Sequence, residues 1–209
     1  MITIIDYKMG NLGSILNMFR RLGIEATLTD KHEDIAKADK LLLPGVGNFS
    51  RCAGNVAQME LRSLIRDKVL KDGTPLLGIC MGMQLLGNDS EEGPGEGLGL
   101  IAASSIKFRF EPGEAGQRPP AVPHMGWNHV AAAKEHPVLA GLEMPRFYFV
   151  HSYWVDCASR QDVLLESSYG GCRFNAGIAN GTVVGVQFHP EKSHRYGMQL
   201  LTNFAAWRP

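Results

Sequence analysis

Apolar residues recur along this chain in two different registers, and the change from one to the other divides it. Ile2 to Ile5 is a short β-branched run closed by Asp6, which predicts a strand buried on both faces. Gly10, Asn11 and Gly13 then open a segment whose apolar residues, Leu12, Ile15, Leu16, Phe19 and Leu22, recur at helical spacing until Gly23 stops it. Ala26 to Thr29 and Lys40 to Leu43 read as a second and third strand, the latter running into Pro44-Gly45-Val46-Gly47. A helix is predicted over about 51–70, and Pro75 to Ile79 as a fourth strand. Beyond Cys80, the residues Met83, Leu85 and Leu86 continue with helical character. Strands alternating with helices predict an α/β fold whose mostly parallel central sheet is covered by helices on both faces.

After the glycine-rich stretch 87–99 the texture changes. Ile101 to Phe110, Val122 to Val130, Arg146 to Asp156, Val163 to Tyr169, Phe174 to Ala179 and Thr182 to Phe188 all read as extended, giving an antiparallel, β-rich C-terminal half. From about His194, the residues Leu200, Leu201, Phe204 and Trp207 stand at helix spacing, so the chain closes on an amphipathic helix. Glu111 to Pro120, rich in glycine, proline and charge, is the one stretch expected to be flexible.

Length and charge narrow the function classes. At 209 residues the chain suits one domain, 1–209, with a core large enough to need no staples. Its 21 basic and 21 acidic residues cancel, so no excess positive field draws nucleic acid or anionic lipid to the surface. No run approaches a membrane span, and Met1 leads straight into a strand without a signal segment, so the expected location is cytoplasmic. The four cysteines form no C-x-x-C pair and keep no zinc-like spacing to the seven histidines, so neither a metal nor a cofactor is expected. Free cysteine in a reducing compartment is usually a small buried hydrophobe, and Cys80 alone has neighbours that argue otherwise.

Those neighbours are Gly78-Ile79-Cys80-Met81-Gly82, a G-x-nucleophile-x-G pattern in which small flanking residues permit a sharp, strained strand-to-helix turn. The N-terminus of the following helix would lower a thiol pKa and stabilise an oxyanion. A thiol nucleophile needs a base, and Gln187-Phe188-His189-Pro190-Glu191 follows an apolar strand. His189 and Glu191, two apart in extended chain, point to one side, so the carboxylate can fix the imidazole tautomer. Read alone, H-P-E is an ordinary surface turn, and Pro44-Gly45-Val46-Gly47 ordinary turn punctuation. At the carboxyl ends of a parallel sheet, however, these segments would share one edge with Cys80.

Together, Pro44 to Gly47, Gly78 to Gln84 and His189-Pro190-Glu191 resemble the class I, or triad, glutamine amidotransferases, a three-layer, flavodoxin-like fold. Asp6-Tyr7 with Gly10-Asn11-Leu12, Pro123 to Asn128 and Tyr148 to Tyr153 are similar to one branch of that family, the glutaminase subunits of imidazole glycerol phosphate synthases, and the likeness spans nearly the whole chain. The resemblance implies that Cys80 attacks the glutamine carboxamide, that His189 moves the proton and that Glu191 orients His189. It implies an oxyanion hole from the backbone of Val46, Gly47 and Met81, with Val46 rotating its peptide for activity. Gly45, Gly47, Gln84, Ser152 and Tyr153 would surround the substrate glutamine. The implied partner is a (β/α)8-barrel cyclase subunit that receives the ammonia, meeting the chain at Met125, Trp127, Asn128, Tyr148 and Lys192. Arg146-Phe147-Tyr148, Asp162-Val163-Leu164 and His194 to Met198 look closer to a paralogous branch that feeds surface-polysaccharide sugar amidination. Outside the family, the same elbow suits a cysteine peptidase or thioesterase, or a silent scaffold in which Cys80 is only packed.

Overall fold

A computed structural model describes residues 1–110 and 119–209. The chain begins β1 (Ile2–Ile5), α1 (Leu12–Arg21), β2 (Ala26–Thr29), α2 (His32–Ala36), β3 (Leu41–Leu43), α3 (Phe49–Gln58), α4 (Leu61–Leu70), β4 (Leu76–Ile79) and α5 (Met81–Leu85). It continues with β5 (Asp89–Ser90), β6 (Ala103–Lys107), β7 (His124–His129), β8 (Ala131–Ala132), β9 (Arg146–His151) and β10 (Tyr153–Cys157). It ends with β11 (Val163–Tyr169), β12 (Cys172–Asn180), β13 (Val183–Val186) and α6 (His194–Ala206). Of the stretch expected to be flexible, all but Pro119 and Pro120 lies outside the described residues.

Eight strands form one sheet in the order β2-β1-β3-β4-β13-β12-β11-β8. The five from β2 to β13 pair in parallel, and β12, β11 and β8 extend them through antiparallel pairings. The uninterrupted apolar strands follow from burial on both faces. Ile2, Ile4, Leu42 and Leu77 pack with Ile15 and Phe19 of α1 and Leu200, Leu201 and Phe204 of α6. Their neighbours Ile5, Leu41, Leu43 and Leu76 face the other way, onto Phe49 and Val56 of α3 and Leu61 and Ile65 of α4. The β7/β9 pair adds Phe147 and Phe149 to the first layer, and the sheet β10-β6-β5 adds Val155 and Ala103 to the second. No helix among the described residues is long and apolar enough to cross a membrane.

β3, β4 and β13 are parallel neighbours. Their carboxyl ends lead directly into Pro44 to Gly47, into Cys80 and into the segment ending at His189 and Glu191, so the topology alone gathers the three motifs on one edge.

The structure corrects several sequence expectations. The helix expected over 51–70 is two, α3 and α4, separated at Glu60, which adopts a left-handed conformation with φ 55°. Cys52 and Val56 set one apolar stripe and Leu61, Ile65 and Val69 the next, and the step from 56 to 61 is one residue too long for a continuous stripe. The turn at exposed Glu60 absorbs that residue. The extended run from Arg146 to Asp156 breaks at Ser152, where the chain leaves the β7/β9 pair and joins β6. Lys40 precedes β3, and its buried ammonium donates to the carbonyls of Phe204, Ala205 and Trp207, fixing the end of α6.

Candidate active site

Cys80 stands between β4 and α5 at φ 55° and ψ −109°, a conformation unfavourable for any residue with a Cβ. Its amide donates to the Val186 carbonyl at 2.8 Å, tying the elbow to β13. The flanking glycines are steric necessities. A Cβ on Gly78 would approach the Gly82 carbonyl oxygen to 2.7 Å, and one on Gly82 would fall on the carbonyl oxygen of Leu43. Cys80 is 6% exposed. Its sulfur accepts a hydrogen bond from Gln187 Nε2 at 3.8 Å.

His189 and Glu191 are held by a tight turn after β13. His189 Nδ1 lies 2.7 Å from Glu191 Oε1, with both side chains almost fully buried. The turn is clamped by β9: the His189 amide donates to the Tyr148 carbonyl at 2.9 Å and the Tyr148 amide to Ser193 Oγ at 3.0 Å. Ser193 Oγ in turn donates to the His189 carbonyl at 2.6 Å. Burial pushes the His189 imidazole down, but the Cys80 sulfur and then the Glu191 carboxylate outweigh it and raise the group to about 10. Among the described residues no group within hydrogen-bonding geometry engages His189 Nε2, the nitrogen that faces away from Glu191. This nitrogen is therefore free to serve the sulfur and the substrate.

The loop after β3 closes the other side. Gly45 is buried under it, with a missing Cβ that would stand 2.5 Å from Tyr7 Oη and 2.7 Å from Met81 Cβ, so glycine is required. The Met81 amide, at the start of α5, donates to the Gly45 carbonyl at 3.4 Å. Val46 is 43% exposed and Gly47 has φ 125°. Tyr7, quoted in the sequence reading only as part of a motif, packs fully buried beneath this loop. Burial, with Cys52 and Cys80 beside it, holds its phenol well above 10.

Gln84 is buried in α5, where its Nε2 donates to the Tyr153 carbonyl and to Gln187 Oε1, each at 3.3 Å. Ser152 and Tyr153, half-buried at the junction of β9 and β10, thus line the same region as Gln84. Sequence reasoning missed Gln187 as a functional residue, although its place two before His189 and after an apolar strand was the available signal. It also gave no role to His124 and His151, whose rings meet in the adjoining core with Nδ1 of one 3.0 Å from Nε2 of the other.

Burial pushes His124 down to about 4 and His151 to about 3. With both folded values below the unfolded 6.5, the unfolded chain binds more protons in acid, so this contribution is complete above pH 6.5 and is lost as pH falls toward 4 and then 3. The unfolding free energy from urea titrations is expected to drop by about 2 kcal/mol or more between pH 7 and pH 4.5. An unchanged urea midpoint across that window would mean the pair is not held neutral.

Of the expected contact residues, Met125 and Trp127 are exposed, at 62% and 43%. Trp127 pairs across the strands with Tyr148, stacks on His194 at 5.5 Å, and Lys192 Nζ stands 5.8 Å from the Tyr148 ring centroid. These four form one surface beside the His189 turn. Asn128 does not join them: on the opposite face of β7, its carboxamide turns inward to His124 Nε2 and the Ser168 carbonyl.

A family profile described as "Glutamine amidotransferase class-I" matches residues 3–207. The chain is 45% identical to "Imidazole glycerol phosphate synthase subunit HisH 2" of Methanococcus maripaludis, over 98% of each chain. It is also 45% identical to the protein of the same name from Pseudomonas aeruginosa, again over 98% of each. With "Imidazole glycerol phosphate synthase subunit HisH" of Bacillus subtilis it shares 43%, over 98% of this chain and 95% of the relative. Among solved structures, PurLQS from Thermotoga maritima superposes with a TM-score of 0.69 at 19% identity, covering 98% of this chain and 97% of the other. At that identity the likeness speaks for the fold alone.

Proposed function

The chain belongs to the class-I glutamine amidotransferases, and from that membership we propose that it is the glutaminase subunit of an imidazole glycerol phosphate synthase, passing ammonia to a cyclase subunit in histidine biosynthesis. The observation that carries this reading is the strained helix start at Cys80, on the same sheet edge as a buried His189 bonded at 2.7 Å to Glu191. The relatives' printed names supply the pathway. On this reading the whole chain is one amidotransferase domain, working in the cytoplasm, and its partner is a (β/α)8 barrel.

In the proposed reaction the thiol proton of Cys80 already stands on His189 Nε2, the protonated imidazole that its raised value favours, as Cys80 Sγ bonds to the side-chain carbonyl carbon of glutamine. His189 gives that proton to the amide nitrogen as the C–N bond breaks, releasing ammonia and leaving a γ-glutamyl thioester. Water then adds, His189 takes its proton, and breakage of the C–S bond frees glutamate and restores the thiol. Glu191 holds Nδ1 throughout. Gly45, Gly47, Gln84, Ser152 and Tyr153 surround the glutamine, while Met125, Trp127, Tyr148 and Lys192 meet the cyclase, which takes the ammonia through a dry passage before bulk water protonates it. Asn128, facing inward, contributes to that surface through its strand.

Met81, Val46 and Gly47 are assigned to the oxyanion hole. The Gly45 carbonyl now takes the Met81 N–H. In a trans peptide the carbonyl and N–H point oppositely, so rotating the Gly45-Val46 peptide by about 180° withdraws the carbonyl and turns the Val46 N–H inward. Completing the hole in this way is worth roughly 100 to 1,000-fold in rate.

The test is glutamate release by the purified chain, alone and with the histidine-pathway cyclase subunit and its nucleotide ligand. Stimulation of roughly 100-fold or more is expected, and Val46→Pro, which removes the N–H, should stay at the unstimulated rate while a glutamine-like chloroketone still alkylates Cys80. No stimulation, in a chain whose Cys80 reacts with the chloroketone in a separate labelling assay, would move the partner to the paralogous, sugar-amidinating branch that Arg146-Phe147-Tyr148 resembles. Unlabelled Cys80 would reject the amidotransferase chemistry.

A further inference from the structure

His124 and His151 are 3% and 6% exposed, in a core otherwise made of Phe108, Phe149, Tyr169 and Phe174. His124 stacks on Tyr169 at 4.1 Å and on Phe149 at 5.0 Å, so its ring orientation is fixed by packing. Two imidazoles among aromatic hydrocarbon carry a desolvation penalty that phenylalanine would avoid, and they persist only when every nitrogen is bonded. Here every one is. Asn128 Nδ2 meets His124 Nε2 at 3.3 Å, His124 Nδ1 meets His151 Nε2 at 3.0 Å, and His151 Nδ1 meets the Tyr153 carbonyl at 2.9 Å.

The carbonyl at the inner end dictates the direction of the whole chain. A carbonyl only accepts, so His151 carries its proton on Nδ1 and accepts at Nε2. His124 must then donate from Nδ1 and accept at Nε2, and Asn128 must donate, its second amide hydrogen going to the Ser168 carbonyl at 2.8 Å. An added proton on either ring would bring two N–H groups face to face. The relay is therefore neutral and has a single polarity. Its inner end is the carbonyl that also holds Gln84, whose amide reaches Gln187 and, through it, the Cys80 sulfur.

We propose that His124 and His151 are positioning residues, a two-imidazole relay that ties the strand bearing Met125 and Trp127 to the Tyr153 carbonyl and so sets the groups that receive glutamine. The proposal rests on the assignment of Tyr153 and Gln84 to the glutamine site and of β7 to the partner face. It gives Asn128 a part in the function that its inward side chain denies it as a contact residue.

The experiment compares the wild-type complex with His124→Phe, which keeps the stacking and removes the relay, and His124→Asn, which returns an amide donor near Nδ1. His124→Phe is expected to raise KM for glutamine about tenfold, with kcat within about twofold and the thermal midpoint held, and His124→Asn to bring KM most of the way back. An unmoved KM in His124→Phe overturns the proposal, as does a joint fall of kcat, affinity and thermal midpoint that asparagine fails to rescue. Nitrogen-15 spectra of the free chain test the relay without activity: both rings should carry Nδ1–H, with a coupling across the His124 to His151 hydrogen bond. The Tyr153 carbonyl carbon-13 resonance should shift in His124→Phe and return in His124→Asn. An Nε2–H tautomer on either ring, or an unmoved Tyr153 resonance, also overturns it. If the wild-type complex releases no glutamate, the assignment of function fails, and these spectra still decide the relay.

Discussion

Replacing Cys80 with alanine is expected to abolish glutamate release, lowering the stimulated rate by at least about 10⁴-fold, as loss of a covalent nucleophile does in comparable hydrolases. The fold should survive, because among the described residues the side chain takes part in one long hydrogen bond, from Gln187, and the elbow is held by its main-chain bond to β13. Alanine keeps the strained φ of 55°, whereas glycine relieves it. Cys80→Gly should therefore unfold at a higher urea midpoint than Cys80→Ala, by about 1 kcal/mol in free energy, with both inactive. Equal midpoints would remove the argument that strain is stored at the nucleophile. Glutamate release by either variant above about a hundredth of the wild-type rate would remove Cys80 from the chemistry.

Gly82→Ala should be among the most disruptive single methyl groups at the described glycines, matched in backbone overlap by Gly197→Ala. The added carbon would land on the backbone carbonyl of Leu43, at the end of β3, where no side chain can give way. To admit it, α5 must move off the sheet, carrying Cys80 and Met81 with it. A destabilisation of about 4 kcal/mol or more is expected, with activity lost even in the fraction that folds. Gly54→Ala supplies the contrast: it lies inside α3, and its new Cβ meets nothing within 4 Å. That substitution should stabilise the protein by about 0.5 to 1 kcal/mol through helix propensity. Urea titrations of the pair settle the matter, and similar midpoints would show that the elbow tolerates a wider helix approach than its geometry implies.

The substitutions at Cys80 and Gly82 concern a motif that the amino-acid pattern alone already exposed, and the reason is local. The strands β1 and β4 and the helices α1 and α6 are legible because each is a short run whose own periodicity matches its burial. The triad is legible because its members follow strands at fixed short spacings. What stayed hidden depends on partners distant in the chain. Glu60 carries no glycine or proline to announce a turn; only the phases of two apolar stripes packed on other elements demand it. The strands β5 and β8 are two residues each and exist through their pairings with β6 and β11. The bond between His124 and His151 spans 27 positions, and that between Gln187 and Gln84 spans 103. No periodicity joins residues so far apart, so their chemistry emerged with the sheet order. Asn128 shows the converse, since its neighbours in a motif face outward while strand alternation turns it in.

The clamp between β9 and the His189 turn is built almost wholly from peptide groups and the Ser193 hydroxyl, while the Tyr148 side chain beside it looks outward. Main-chain hydrogen bonds are indifferent to which side chain the strand displays. On the proposed assignment of this face to the partner and of His189 to Cys80, natural drift or deliberate redesign can therefore rewrite the outer lettering of β9, and with it the choice of companion subunit, without retuning the proposed base. An ancestral scaffold of this kind can change clients by surface substitution alone, and chimaeras that exchange only the outward residues of β7 and β9 should inherit new docking preferences with their hydrolytic machinery intact.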